Sequence, residues 1–353
     1  MIQINFNKIK QYIKKYPQLE SLYMGIKSLN DPSLSEKIIG IKKNPYNLIM
    51  KKNGESRPKE NIYFISLDKE YCINGFCSLL RFTLYYLAFA EDINMTPVVK
   101  WGKNTLYYDN TIKWTDNVFE YFFNAVSEVT VKETQNCKHV ITSKTIDTSV
   151  FGPTSGYKIQ NESFIFLGQI LKKYINLRED VFNLINKDFY TNKKTLGVHV
   201  RATDFNKGYN HHPKVITPRE YLETAKKVFI ENKFEKIFLA TDDNSVINLF
   251  QMEFGDNLCY YTDTYRSING EAIHYGNQRI KREHHKYQLG IEILKDLYTL
   301  GNCSGLIAGN SNVSMCARIV KASTGETFEY MKIIDKGLNQ STLETNKDIN
   351  PNK

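Results

Sequence analysis

The chain has 353 residues, 41% of them hydrophobic and 24% charged, with a formal net charge of +9. This excludes a disordered polyelectrolyte and leaves room for two domains of ordinary size. The basic residues are scattered, with no zinc-finger spacing, no RNA-binding aromatic box and no basic arm, which argues against nucleic acid as the partner of the positive charge.

The six cysteines, Cys72, Cys77, Cys137, Cys259, Cys303 and Cys316, fall at irregular intervals without a Cys-x-x-Cys, the pattern of reduced thiols in a cytosolic protein. Residues 1–6 form no apolar signal segment, and the apolar run Leu79 to Ala90 is broken by Arg81 and too short to span a bilayer. The expectation is a cytoplasmic chain. Lys8 to Lys15 reads either as a solvated basic helix face or as a peripheral contact with the anionic inner face of a membrane.

In chain order, residues 5–16 are predicted helical, and the stretch to about residue 60 is polar and turn-rich. The first strand is predicted over Asn61 to Leu67. A turn at Asn74-Gly75-Phe76 follows, then a helix capped by Ser78 and running to Asp92. Thr96 to Trp101 is the next strand, which completes a βαβ unit. Gly75 at the strand-to-helix junction serves either as a structural turn or as a place where backbone approaches a ligand. The loop holding Trp101, Tyr107, Tyr108, Asp109 and Trp114 mixes aromatic faces with a carboxylate. It reads either as an acceptor-binding loop, with Trp101 and Tyr108 in contact with a sugar, or as a loop anchored by its own aromatics.

A short helix is predicted over 117–126, and helical periodicity returns over 164–174 and 179–189. A polar linker at 190–194 divides an N-terminal α/β domain, 1–190, from a C-terminal Rossmann-like domain, 191–338. Residues 339–353 carry no core positions and read as a disordered tail. The second half alternates strand and helix: strands at 195–201, 236–241, 257–261, 304–308 and 329–334, and helices at 217–232, 244–253, 287–300 and 312–322. Thr217-Pro218-Arg219-Glu220 is a capping box with proline in the first helical turn. Regular alternation predicts a parallel doubly wound sheet.

Three of these strands end in polar clusters. Thr195 to Val200 runs into Arg201, Thr203 and Asp204; Phe238-Leu239-Ala240-Thr241 into Asp242 and Asp243; Leu306-Ile307-Ala308-Gly309 into Asn310, Ser311 and Asn312. Ligand crevices of open α/β sheets lie at such ends. Arg201 offers a permanently charged fork of donors suited to phosphate.

Taken together, His199-Val200-Arg201 with Thr203-Asp204, Ala240-Thr241-Asp242-Asp243, Asp296, and Ser311 with Asn312 resemble the fucosyltransferase superfamily. That superfamily includes the animal α-1,6-fucosyltransferases, the rhizobial nodulation fucosyltransferase and the protein O-fucosyltransferases. The resemblance covers roughly residues 195 to 322, with an echo at Gly75-Phe76. It implies an α/β chain of two Rossmann-like domains facing a cleft, the GT-B glycosyltransferase architecture. It also implies an inverting transfer from a GDP-sugar, most often GDP-fucose, to a hydroxyl of a surface-glycan or lipid-linked glycan acceptor, with no metal cofactor. Arg201 then contacts the β-phosphate, Ser311 and Asn312 add donors at a helix start, His199 and Asp296 contact guanine, and Asp242 and Asp243 line the nucleotide side.

Two departures qualify what is carried over. Animal α-1,6 enzymes have a second Arg where this chain has Ala202, and a Lys where it has Phe205. Their proposed acidic base falls near Tyr209. The base is therefore sought among Asp204, Lys207, His211 and His212, with Asp204 the first choice, although Asp204 could instead orient Arg201. Two rival readings stay open: the same fold with another GDP-sugar, such as a GDP-heptose or deoxysugar, and a non-catalytic nucleotide-sugar or glycan binder.

Overall fold

A computed structural model describes residues 48–143, 161–191, 193–202, 213–267 and 282–339. The predicted basic helix at 5–16, the loop candidates Asp204, Lys207, His211 and His212, and the tail from 340 lie outside the described residues.

Two sheets carry the chain. The first holds β1 (Leu48–Lys51), β2 (Ser56–Leu67), β3 (Thr96–Trp101) and β4 (Cys137–Ser143) in the order β1-β4-β2-β3. β2 is parallel to both β3 and β4, and β1 runs antiparallel to β4. The helix α1 (Phe76–Asp92) makes the β2-to-β3 crossover, as the βαβ pattern predicts. Its cap is Gly75, with no side-chain bond, rather than Ser78, whose hydroxyl instead accepts from the Asn74 amide at 2.8 Å. A single-turn helix α2 (Val131–Thr134) precedes β4. The longer helix α3 (Asn161–Tyr174) and the short α4 (Glu179–Phe182) follow. The continuous helix predicted over 179–189 is thus interrupted, and the one predicted over 117–126 is a 3-10 turn at Val118–Tyr121.

The second sheet is fully parallel, with order β7-β6-β5-β8-β9. Its strands are β5 (Thr195–Val200), β6 (Lys236–Thr241), β7 (Leu258–Cys259), β8 (Gly305–Gly309) and β9 (Tyr330–Ile334), and its helices α5 (Pro218–Glu231), α6 (Asn244–Phe254), α7 (His285–Asn302) and α8 (Asn312–Ser323). Every residue of β5 is buried, as a central strand covered on both faces requires. Thr217 and Glu220 close the predicted capping box at the start of α5. Strand order reverses between β5 and β8, so the crevice of this sheet opens where Arg201 and the start of α8 emerge.

One apolar core joins the two sheets. It contains Tyr63, Ile65 and Leu67 of β2, Phe238 of β6 and Leu306 of β8, with Leu84, Leu167, Leu294 and Ile319 from α1, α3, α7 and α8 between them. A separate cluster under α5 and α6 includes Leu196, Val198 and Val200. The crossing of α3 on α8 depends on Gly168: a Cβ there would sit 2.8 Å from the carbonyl carbon of Ala322. Arg318 of α8 lies over the ring of Phe164 on α3 at 3.6 Å. All six cysteines are free, and among the described residues no helix is long and apolar enough to cross a membrane.

Candidate active site at the strand tips

Arg201 follows β5 directly, half-buried at the mouth of a small solvent-open recess. His199, Lys214, Ile216, Tyr221, Gly309, Asn310 and Ser311 contribute to its lining. Asn310 and Ser311 come from the loop between β8 and α8, the strand and helix beside β5, so the reversal in strand order brings both polar clusters to one place.

Ser311 caps α8. Its hydroxyl accepts from the Ser314 N–H at 3.1 Å, and the Ser314 hydroxyl accepts from the Ser311 N–H at 3.0 Å. The Ser311 side chain is buried and committed to the helix. What α8 offers a ligand is its positive end and the backbone around Asn312. The Asn312 amide carbonyl is already engaged by Arg81, whose Nη1 donates to it from α1. Periodicity shows Arg81 only as an interruption of an apolar run. Its partner lies 231 residues away, and no local pattern reveals that pairing.

The α1 start is also at this place. Arg201 and Arg81 both lie close enough to the Cys77 thiol to favour its charged form, although the neighbouring Cys316 and burial push its pKa well up. Gly75 has φ −67°, a value open to any residue, and a Cβ there would meet nothing within 4 Å. The turn does not demand glycine, and the space beside it is open.

His199 is buried, and burial together with Arg201 lowers its pKa to about 3. It is a neutral imidazole at any working pH. Asp242 accepts from the Ala202 N–H at 2.9 Å, which ties the tip of β6 to the tip of β5. Asp243 caps α6 by accepting from the Ser245 N–H at 2.7 Å. Of the adjacent carboxylates, one fixes the residue after Arg201 and the other starts a helix. Among the described residues, no three His, Cys, Asp or Glu side chains gather to hold a metal ion.

Asp296 projects from α7 with its Oδ1 buried and unpartnered. Burial raises its pKa to about 7 against the pull of Arg266 and Lys295. Arg266 sits in a polar insert without periodicity, so nothing in the sequence pattern singles it out; it is 5% exposed. It donates from Nε to the Thr241 carbonyl at 3.2 Å and from Nη1 to the Thr264 carbonyl at 3.3 Å, while Nη2 is buried without a partner. An orphaned acceptor and an orphaned donor behind the β6 tip each cost about 1–3 kcal/mol when left unsatisfied.

The acceptor-side candidates divide. Trp101 is fully buried: its ring meets Phe76 edge-on at 5.3 Å, and its indole N–H donates to the Thr83 hydroxyl at 2.9 Å. It cannot touch an acceptor, because the end of β3 points into the core rather than the cleft. Tyr108 is half-buried with Lys103 over its ring at 5.7 Å. Trp114 is 55% exposed beneath the Arg178 guanidinium, 4.5 Å from its ring centre. The loop carrying both docks on α7: Asp109 accepts from the Tyr287 N–H, and the Thr111 hydroxyl lies 2.6 Å from His284 Nδ1.

No family model matches the chain, and no curated protein does. Solved structures do match. The NodZ α-1,6-fucosyltransferase soaked with GDP-fucose is 15% identical, with TM-score 0.40 over 74% of this chain and 92% of that one. Fucosyltransferase NodZ from Bradyrhizobium is 14% identical, with TM-score 0.40 over 73% of this chain and 92% of that one. POFUT1 in complex with GDP is 12% identical, with TM-score 0.44 over 80% of this chain and 98% of that one. These are structures this chain is similar to.

Proposed function

We propose that the chain is an inverting glycosyltransferase that uses a GDP-sugar, GDP-fucose by the motif resemblance, and delivers the sugar to a hydroxyl of a glycan acceptor. The observation that carries this reading is the convergence of Arg201 with the capped start of α8 at the β5–β8 switch point. Charge grows on the leaving β-phosphate as its bond to the anomeric carbon breaks. A guanidinium and a helix N-terminus are both suited to absorb that charge, so the reading requires no metal. The acceptor oxygen attacks the anomeric carbon from the opposite face, and its proton passes to a base, for which Asp204, three positions after Arg201 in sequence, is the candidate. GDP leaves with the bonding pair.

The buried pair behind the β6 tip supports guanine. Ionised Asp296 can accept from guanine N1–H and N2–H, and Arg266 Nη2 can donate to O6, so both orphaned atoms gain partners. Adenine presents a different edge and would leave at least the carboxylate unsatisfied.

Calorimetric titration with GDP, UDP and ADP, each with and without magnesium, tests the donor side. GDP binding at least about tenfold tighter than the other two, unchanged by magnesium, is expected. Equal binding of the three would refute the guanine site, and dependence on magnesium would refute the metal-free reading. Release of free sugar from GDP-fucose then separates an enzyme from a binder.

A further inference from the structure

We propose that the face of the first sheet turned away from α1 is a second binding site, for an extended anionic oligosaccharide such as a charged stretch of the acceptor glycan. The link to the acceptor rests on the glycosyltransferase reading; the site itself does not. A recess of about 350 Å³ lies on this face, within the size range of ligand pockets. Strand register decides which side chains share it. Lys51 pairs with Val140 and Val140 with Ile62; Phe64 and Ser66 follow Ile62 at intervals of two, and Ser66 pairs with Lys100. Paired and alternate residues project to one side of a sheet. The intervening residues of β2, Tyr63, Ile65 and Leu67, belong to the core on the α1 side.

The floor of the recess is apolar: the half-buried Phe64 ring, with Val131 and Val140, gives a surface on which the C–H faces of sugar rings can stack. Ser66, Gln135 and the Asp68 carboxylate stand around it as partners for sugar hydroxyls. Asp68 is steadied by Asn104, whose backbone N–H and side-chain amide both donate to its Oδ1 at 2.9 Å. At the rim, Asn53 donates to the Thr134 carbonyl at 2.7 Å and ties the segment after β1 to α2. Two cations set the charge of the ligand. Among the described residues, neither Lys51 nor Lys100 pairs with a carboxylate. Their strands are the two edges of the sheet. Three strand spacings across and the step from Ile62 to Ser66 along the strands put the two lysines about 20 Å apart at the backbone. One phosphate or one carboxylate cannot bridge that span, whereas an extended ligand charged at more than one point can. The Asp68 carboxylate in the lining disfavours the dense, continuous charge of a nucleic acid. Ser66, Asp68 and Lys100 lie at the carboxyl ends of β2 and β3, the end at which α1 starts beside the candidate active site.

The test is calorimetry on the full chain with tetragalacturonate, whose sugars each carry a carboxylate, with the neutral maltotetraose, and with tetrathymidylate. Wild type, Lys51→Gln, Lys100→Gln and the double variant are compared, and each is also titrated with GDP. Wild type should bind tetragalacturonate at least about tenfold tighter than the other two probes. The double variant should lose about ten- to a hundredfold of that affinity, and each single variant part of it, with GDP affinity unchanged. Should the double variant fail to fold, the single variants decide. The site is overturned by undetectable binding of tetragalacturonate, by equal binding of maltotetraose, by tighter binding of tetrathymidylate, by an affinity the lysine variants leave unchanged, or by a parallel fall in GDP affinity. Failure of the wild type to bind GDP, with tetragalacturonate bound as expected, would instead refute the glycosyltransferase reading and leave this site standing.

Discussion

Arg201 has its position because β5 is buried end to end and must stop where a charge can reach water. That placement separates its chemistry from the core. Arg201→Ala is expected to lower sugar transfer by roughly a hundred- to a thousandfold while the thermal midpoint moves by only a few degrees. Near-normal turnover in a folded variant would remove Arg201 from the mechanism. Asp296 makes a pH prediction. Its folded pKa, raised to about 7 from 3.8, means the fold favours the protonated acid. Its stability contribution is full below the unfolded pKa and is lost as pH rises through about 7. Guanine needs the ionised form, so GDP affinity should rise over the same interval, while UDP affinity stays level. Asp296→Asn should flatten both profiles and weaken GDP about tenfold or more; an unchanged GDP profile would contradict the role.

The elements legible in the sequence are those whose signals are local. β3 and β6 run over the predicted residues, and Thr217 with Glu220 closes its capping box, because cap, proline and apolar run lie within a few positions. Asp243 caps α6 through a contact two residues long, and Asp243→Ala should cost about 1 kcal/mol in urea unfolding. β1 and β4 are not legible in this way, since both lie in turn-rich sequence and are defined by pairing between distant positions, as in Leu48 with Ser143. Trp101 misleads for a related reason: a tryptophan at a strand end looks the same in sequence whether it faces sugar or Phe76. Arg81 and Arg266 escape a sequence reading because only the fold supplies their partners. Gly168 is another feature that only packing explains. Gly168→Val should destabilise by about 1–3 kcal/mol, since its Cβ would meet Ala322 backbone at 2.8 Å. An unchanged midpoint would show that α3 can shift off α8 without penalty.

The two sheets belong to one packed body, with the site at one end of the seam. That seam is held by α3 on α8, by the Cys77–Cys316 contact, and by Asp109, which reaches from the loop after β3 to the start of α7. The residue before α7, His284, sits at φ 49° and makes no side-chain cap, and its Nδ1 lies 2.6 Å from the hydroxyl of Thr111, which also donates to Asp109. Burial works against the Asp109 carboxylate, but hydrogen bonds from Thr111 and from the Tyr287 N–H hold its pKa below the usual range. Its stabilisation is therefore present above about pH 4 and lost as pH falls further. Asp109→Ala should lower the thermal midpoint at neutral pH and remove that acid sensitivity. A midpoint unmoved at neutral pH would show that the loop is not part of the seam.

The most direct test of the whole account is a crystal structure with guanosine diphosphate bound. The β-phosphate is expected within hydrogen-bond distance of Arg201 and of the backbone at the start of α8, with the base edge against Asp296. A nucleotide lodged elsewhere, or phosphates held by a bound cation in place of Arg201, would contradict it.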